Sequence, residues 1–212
     1  MPPIAFFWKR SCVLLIAASA AGCGHVPLTS LPKLSRIDFK TTDLADLRSG
    51  VSLPAEIRPL PDGVVMTITV NARDGGRHER SATLQEVRDP AELATLPVVA
   101  TPGRRFAVYR LKPADAALLS AFRQERILMP DGKHNPGTLS IKVHKVCRTS
   151  ELGAKPIPMT SYLKTSETQD YVMLTRDLDL REVLKETDPK AELADLIPPC
   201  APPELSAPRP GS

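Results

Sequence analysis

Aromatic side chains are scarce in this chain of 212 residues, which holds one Trp, three Tyr and five Phe. Phe6, Phe7 and Trp8 crowd the extreme N-terminus, so Phe39, Phe106, Tyr109, Phe122, Tyr162 and Tyr171 serve everything else. That is too few for stacking platforms on nucleic-acid bases, and by the same argument for sugar rings. An excess of one charge is lacking as well: 28 Lys and Arg oppose 24 Asp and Glu. Nucleic-acid binders gather basic residues on one face, so nucleic acid is not an expected partner. No apolar run reaches the ~20 residues that a membrane-spanning helix needs.

Catalytic signatures are missing too. There is no G-x-S-x-G elbow, no C-x-x-C pair and no Gly-rich phosphate loop. His78-Glu79-Arg80-Ser81-Ala82 starts like a zinc-protease helix, but Ala82 stands where the second His belongs. His144 and Cys147, with His134 near in sequence, suggest a metal site. Residues three apart on a strand point to opposite faces, which favours a surface histidine and a core or disulfide-bonded cysteine. Acidic residues are scattered. The expectation is no catalytic residue, no cofactor and no metal.

What the chain does have is an N-terminal address. Lys9 and Arg10 precede the mostly apolar run Cys12–Ala21, and small residues lead to Gly22-Cys23. A positive region, a short apolar region and a small-residue cleavage site make a secretory signal peptide. Ala20-Ala21-Gly22-Cys23 resembles the lipobox of bacterial lipoprotein precursors, departing only at Ala20, where that family favours Leu. Gly22-Cys23-Gly24-His25-Val26-Pro27, with Ile37-Asp38-Phe39-Lys40-Thr41-Thr42-Asp43 downstream, is similar to proteobacterial lipoproteins to which no activity is attached. The resemblance implies that Cys23 becomes the mature N-terminus, carries a diacylglycerol thioether and is N-acylated. Several chains matter, because one chain binds a bilayer only marginally at ~0.8 kcal/mol per buried CH₂. Asp usually follows the Cys in lipoproteins kept at the inner membrane. Gly24 in that place implies the periplasmic face of the outer membrane.

Removal of residues 1–22 takes Trp8, Lys9, Arg10 and Cys12 and leaves a nearly neutral chain of one-domain length. Lipidation would consume Cys23. Cys147 and Cys200 then form an even pair in an oxidising compartment, and a disulfide is the simplest arithmetic. Such a bridge would contribute roughly 4 kcal/mol in the loop-entropy account. The other reading is two free thiols, one buried and one in a mobile tail.

The mature sequence divides into an anchor and tether (23–33), a β-rich domain (34–186) and a Pro-rich, mostly disordered tail (187–212). Residues 34–40 alternate around Ile37 and Phe39 as a first strand, and 42–48 read as one capped helical turn. The clearest strand is 64–71, with Val64, Met66, Ile68 and Val70 on one face. Asp74-Gly75-Gly76 supplies a hairpin turn, and 78–87 return with Ala82 and Leu84 inward. Short strands are also expected at 51–53, 106–111 and 138–146, and a second hairpin joins 159–165 to 171–176. Residues 89–95 read as a helical turn begun by Pro90. The one long helix is predicted at about 113–128, with Leu118, Leu119, Ala121 and Phe122 as its apolar stripe and Arg123 and Arg126 suiting its negative end. Asp179 looks like the cap of a short helix to Lys185, and a last turn fits 191–197. Short strands, hairpin turns and one long helix give a β-rich α+β fold, an antiparallel sandwich-like domain.

Function is expected to be non-enzymatic: a lipid-anchored module that docks an envelope protein, on an apolar or basic patch. Arg104-Arg105 and Lys142/Lys145/Arg148 are the basic groups available for it. The alternative is a small-ligand-binding lipoprotein with a pocket between the sheet and helix 113–128. A second alternative, an envelope hydrolase, requires ionisable groups converging in a cleft.

Overall fold

A computed structural model describes residues 27–94, 102–127 and 134–201. The signal and lipobox stretch, Cys23 included, lies outside the described residues. The described chain opens on a 3-10 turn (Leu28–Ser30) and the short helix α1 (Leu31–Leu34). The tether expected over 23–33 is therefore part of the fold from residue 27 onward. Ser30 is buried, and Lys33 Nζ lies 3.0 Å from Asp170 Oδ2. The strand expected at 34–40 does not form. Thr41 and Thr42 both donate their N–H to Asp38 O, and Asp38 Oδ1 accepts from Lys40 N. An Asp that bonds the backbone two residues on favours a turn over a ladder. Ile37 and Phe39 still reach the core.

The strands follow in quick order. β1 (Arg48–Pro54) and β2 (Ile57–Pro59) precede β3 (Val64–Asn71). β3 returns through a tight turn into β4 (Arg77–Thr83). In that turn Gly75 takes φ +91°, and Asp74 Oδ1 accepts from Gly76 N at 2.9 Å. β5 (Gln85–Glu86), α2 (Pro90–Leu93) and β6 (Arg104–Arg110) come next. Asp89 caps α2 by accepting from Ala91 N at 2.9 Å. The long helix α3 (Pro113–Ile127) leads to β7 (Gly137–Val143) and β8 (Val146–Arg148). β9 (Pro158–Lys164) and β10 (Val172–Asp179) form the second hairpin, followed by α4 (Leu180–Thr187) and α5 (Leu193–Leu196). Asp179 Oδ1 caps α4 through Arg181 N and also accepts from Ile157 N.

Three antiparallel sheets pack together as a β-rich α+β sandwich. The larger has the order β10-β9-β1-β6-β5, the second β4-β3-β7, and β2 pairs with β8 in a short ribbon. One apolar core joins them. It takes Val51, Leu53, Tyr109 and Met159 from the large sheet, and Val64, Met66, Ile68 and Val70 from β3. α3 adds Ala116, Leu119 and Ile127, and α4 adds Leu180 and Leu184.

Four further expectations need correction. The return strand 78–87 splits at Leu84, which is fully buried and donates its N–H to Val64 O. There the chain leaves the smaller sheet for the larger. The run 138–146 breaks at His144-Lys145, whose N–H groups both turn toward Gly63 O. The buried stripe of α3 is Ala116, Leu119, Arg123 and Ile127, while Leu118 is 53% exposed. Arg123 is no surface cation: it donates to Thr42 O at 2.7 Å and Phe39 O at 3.1 Å, and burial lowers its pKa. Finally, the described part of the Pro-rich tail is folded: α5 packs, and Ile197 is fully buried. Residues 202–212 lie outside the described residues.

Candidate functional site

Cys147 and Cys200 are bonded, with Cα atoms 4.8 Å apart. The bridge fixes the chain after α5 beside β8. Arg148 N donates to Pro198 O at 2.8 Å, Cys200 N donates to Arg148 O at 2.7 Å, and Arg148 Nε reaches Ile197 O. Cys147 is thus spent on structure, and His144 is left without it. Among the described residues no group of three or more His, Cys, Asp or Glu side chains could hold a metal ion.

The basic groups seen in the sequence are largely engaged within the fold. Arg104 spans the outer face of the large sheet, donating to Ser52 Oγ and O, Pro158 O, Thr160 Oγ1 and Asp177 Oδ1. Arg105 pairs with Glu86 at 2.7 Å and Arg148 with Glu151 at 2.6 Å. Lys145 pairs with Asp62 and holds that carboxyl below its ordinary range. Lys142 stays exposed on β7. Four of these five cations are thus paired with a carboxylate of the fold.

Among the described residues, one feature that could bind something is a cleft of about 580 Å³ between the two larger sheets. Its floor is the core face of the large sheet: Val51, Met159, Leu174 and Leu178, with Ser161 Oγ and Thr175 Oγ1 hydrogen-bonded at 2.7 Å. Ile141 and Val143 of β7 form the facing wall, and Val183 and Glu186 of α4 close one end. Lys142 and His144 sit on the β7 margin, so ionisable groups of both signs border a mostly apolar space. Its volume lies in the 300–1,000 Å³ range usual for ligand sites.

Sheet order explains why the cleft exists. β4 and β5, an edge strand of each sheet, are joined through Leu84 on one side of the sandwich. β7 and β10, the opposite edges, do not pair with each other, and the cleft opens between them. The pairing of β10 with β9 shifts register between Met173 and Thr175 and again between Thr175 and Leu178. Asp177, at φ +47°, sits within the second shift and is held by Arg104. Bulges re-aim side chains, and these two set how Thr175 and Leu178 enter the cleft.

The pocket expected between the sheet and helix 113–128 is not this cleft, because α3 lines none of it. α3 contributes only Arg123, to a separate cavity of about 260 Å³ beside Phe39 and Leu139. The helix that lines the cleft is α4, expected as a short helix to Lys185. Alternation along β7 did identify Ile141 and Val143 as inward-facing, but not that they border an open edge. No protein-family model, no curated protein and no solved structure matches the chain.

Proposed function

We propose that this chain is a lipid-anchored, periplasmic docking module of the outer membrane, non-enzymatic, and that the cleft between β7 and β10 receives its partner. The cleft carries the docking part of this reading: a largely apolar, pre-formed concavity at an open sheet margin. Support for the address comes from the lipobox-like stretch ending in Cys23. The Cys147–Cys200 bridge supports it further, since structural disulfides persist in oxidising compartments. A second reading, a small amphipathic ligand in the same cleft, is favoured by its volume alone.

Two measurements test the proposal. A Cys23→Ala variant should move from the detergent-extracted membrane fraction to the soluble periplasm; retention in the membrane refutes the anchor. A photocrosslinking residue replacing Glu186, at the cleft, should give one reproducible protein adduct in the native envelope. The same residue replacing Arg77, on β4, should give none. Equal labelling from both positions, or none from either, refutes the docking site.

A further inference from the structure

The four edges of the two larger sheets are not alike. β5 is two residues long. β10 is interrupted by two register shifts with Asp177 in the left-handed region. β4 carries Arg77, His78, Glu79 and Arg80 in succession. Short length, bulges and dense charge are the devices that keep an edge from accepting another strand. β7, Gly-Thr-Leu-Ser-Ile-Lys-Val, has seven residues in unbroken register with β3 and a single charge, Lys142.

The pairing shows which backbone groups of β7 remain open. Asn71 N donates to Pro136 O, and His144 N to Gly63 O. In an antiparallel ladder the bonded pairs alternate, so residues 138, 140 and 142 also turn their N–H and C=O toward β3. Leu139, Ile141 and Val143 therefore turn theirs away from it, and two of these three border the cleft. Their side chains meanwhile face the core. One margin thus offers open backbone groups, an adjoining apolar space and a neighbouring cation.

We propose that β7 captures an extended peptide by strand addition, with the peptide's alternate apolar side chains entering the cleft and an acidic side chain facing Lys142. This rests on the docking reading and specifies its partner. Main-chain hydrogen bonds give affinity in this mode, and pockets for alternate side chains give specificity. Residues opposite Ile141 and Val143 would point at Val51, Met159 and Leu178. The residue opposite Lys142 would take the other face of the sheet, shared with Val65 and Thr67, which also border the cleft. The complementary pattern is apolar–acidic–apolar. In residues 202–212, Pro at 202, 203, 208 and 210 leaves a run of only four consecutive residues, 204–207, that carry an N–H.

The test uses the full-length protein and a fluorescein-labelled heptapeptide of alternating valine and glutamate. Fluorescence anisotropy gives its affinity, and amide hydrogen exchange gives its position. Bound peptide should slow exchange at Leu139, Ile141 and Val143. N-methylation of the peptide amides on the edge facing β7 should weaken binding at least tenfold. Ile141→Pro removes an N–H that β3 does not use. It should keep the thermal midpoint near that of Ile141→Val and lose peptide binding at least tenfold, while Ile141→Val retains it. Equal affinity for the N-methylated peptide, or no binding of the parent peptide, overturns strand addition. If crosslinking from position 186 still succeeds in that case, the docking reading survives and this one falls; if both fail, both fall. Slowed exchange at the same three amides that grows with protein concentration and without peptide would identify a second copy of the chain as the occupant, and would also overturn the proposal.

Discussion

A methyl group at position 63 has no room. An ideal Cβ there would lie 2.0 Å from Lys145 O and 2.9 Å from Leu60 N, both backbone atoms. The same residue accepts from His144 N, so this contact separates β7 from β8. Gly63→Ala should cost roughly 1–3 kcal/mol or more, as overpacking does. Gly153→Ala, with nothing within 4 Å of the new Cβ, should change stability by less than about 0.5 kcal/mol. Urea denaturation of the two variants checks the difference, and equal midpoints would refute it. Nothing near Asp62-Gly63 in the sequence announces this demand, because the crowding atom comes from a turn far along the chain. Arg123 was hidden for a related reason. Hydropathy assigns arginine to the surface, and only the carbonyls of Phe39 and Thr42 make its burial tolerable.

At the scale of elements, β3 was legible to the residue, since four alternating apolar side chains have one way to be buried together. The C-terminal segment was legible only in its last turn, expected at 191–197 and found as α5. Its prolines read as disorder, yet Pro198 and Pro199 lie in a pairing that does not use their missing N–H. Arg148 N and Cys200 N supply the donors, and Pro198 O and Arg148 O accept. Proline is costly only where a ladder needs its donor. The Cys147–Cys200 bridge closes a loop between residues 53 apart, worth about 4 kcal/mol of denatured-state entropy. Reduction should therefore lower the urea midpoint by a corresponding amount and accelerate amide exchange at Ile197 and Cys200 before it does so on β3. An unchanged midpoint after verified reduction would show that the packing of α5 and Ile197 alone holds this segment.

For the molecule as a whole, stability should fail on the alkaline side in a defined window. Burial, with a smaller contribution from the field of Glu92, pushes Tyr171 up to about 12, and burial raises Tyr109 in the same direction. Unfolded tyrosine ionises near 10. Above that pH the unfolded state binds fewer protons than the folded one, so stability falls as pH rises from about 10 through about 12. Urea midpoints across that range should decline, and Tyr171→Phe should flatten part of the slope; a level profile in the parent protein would contradict the burial of these rings. The fold class was readable because hairpin turns and alternation are local. The allocation of strands to sheets was not, because it hinges on Leu84, one buried leucine in mid-run. That allocation has a mechanical consequence. The sandwich is built like a book whose spine is the β4–Leu84–β5 passage and whose fore-edge is the gap between β7 and β10. The Cys147–Cys200 bridge lies elsewhere, tying β8, which pairs with β2, to the segment after α5. How far the covers part is then limited by covalent chain at the spine, and an occupant of the gap must fit a width that neither sheet sets by itself.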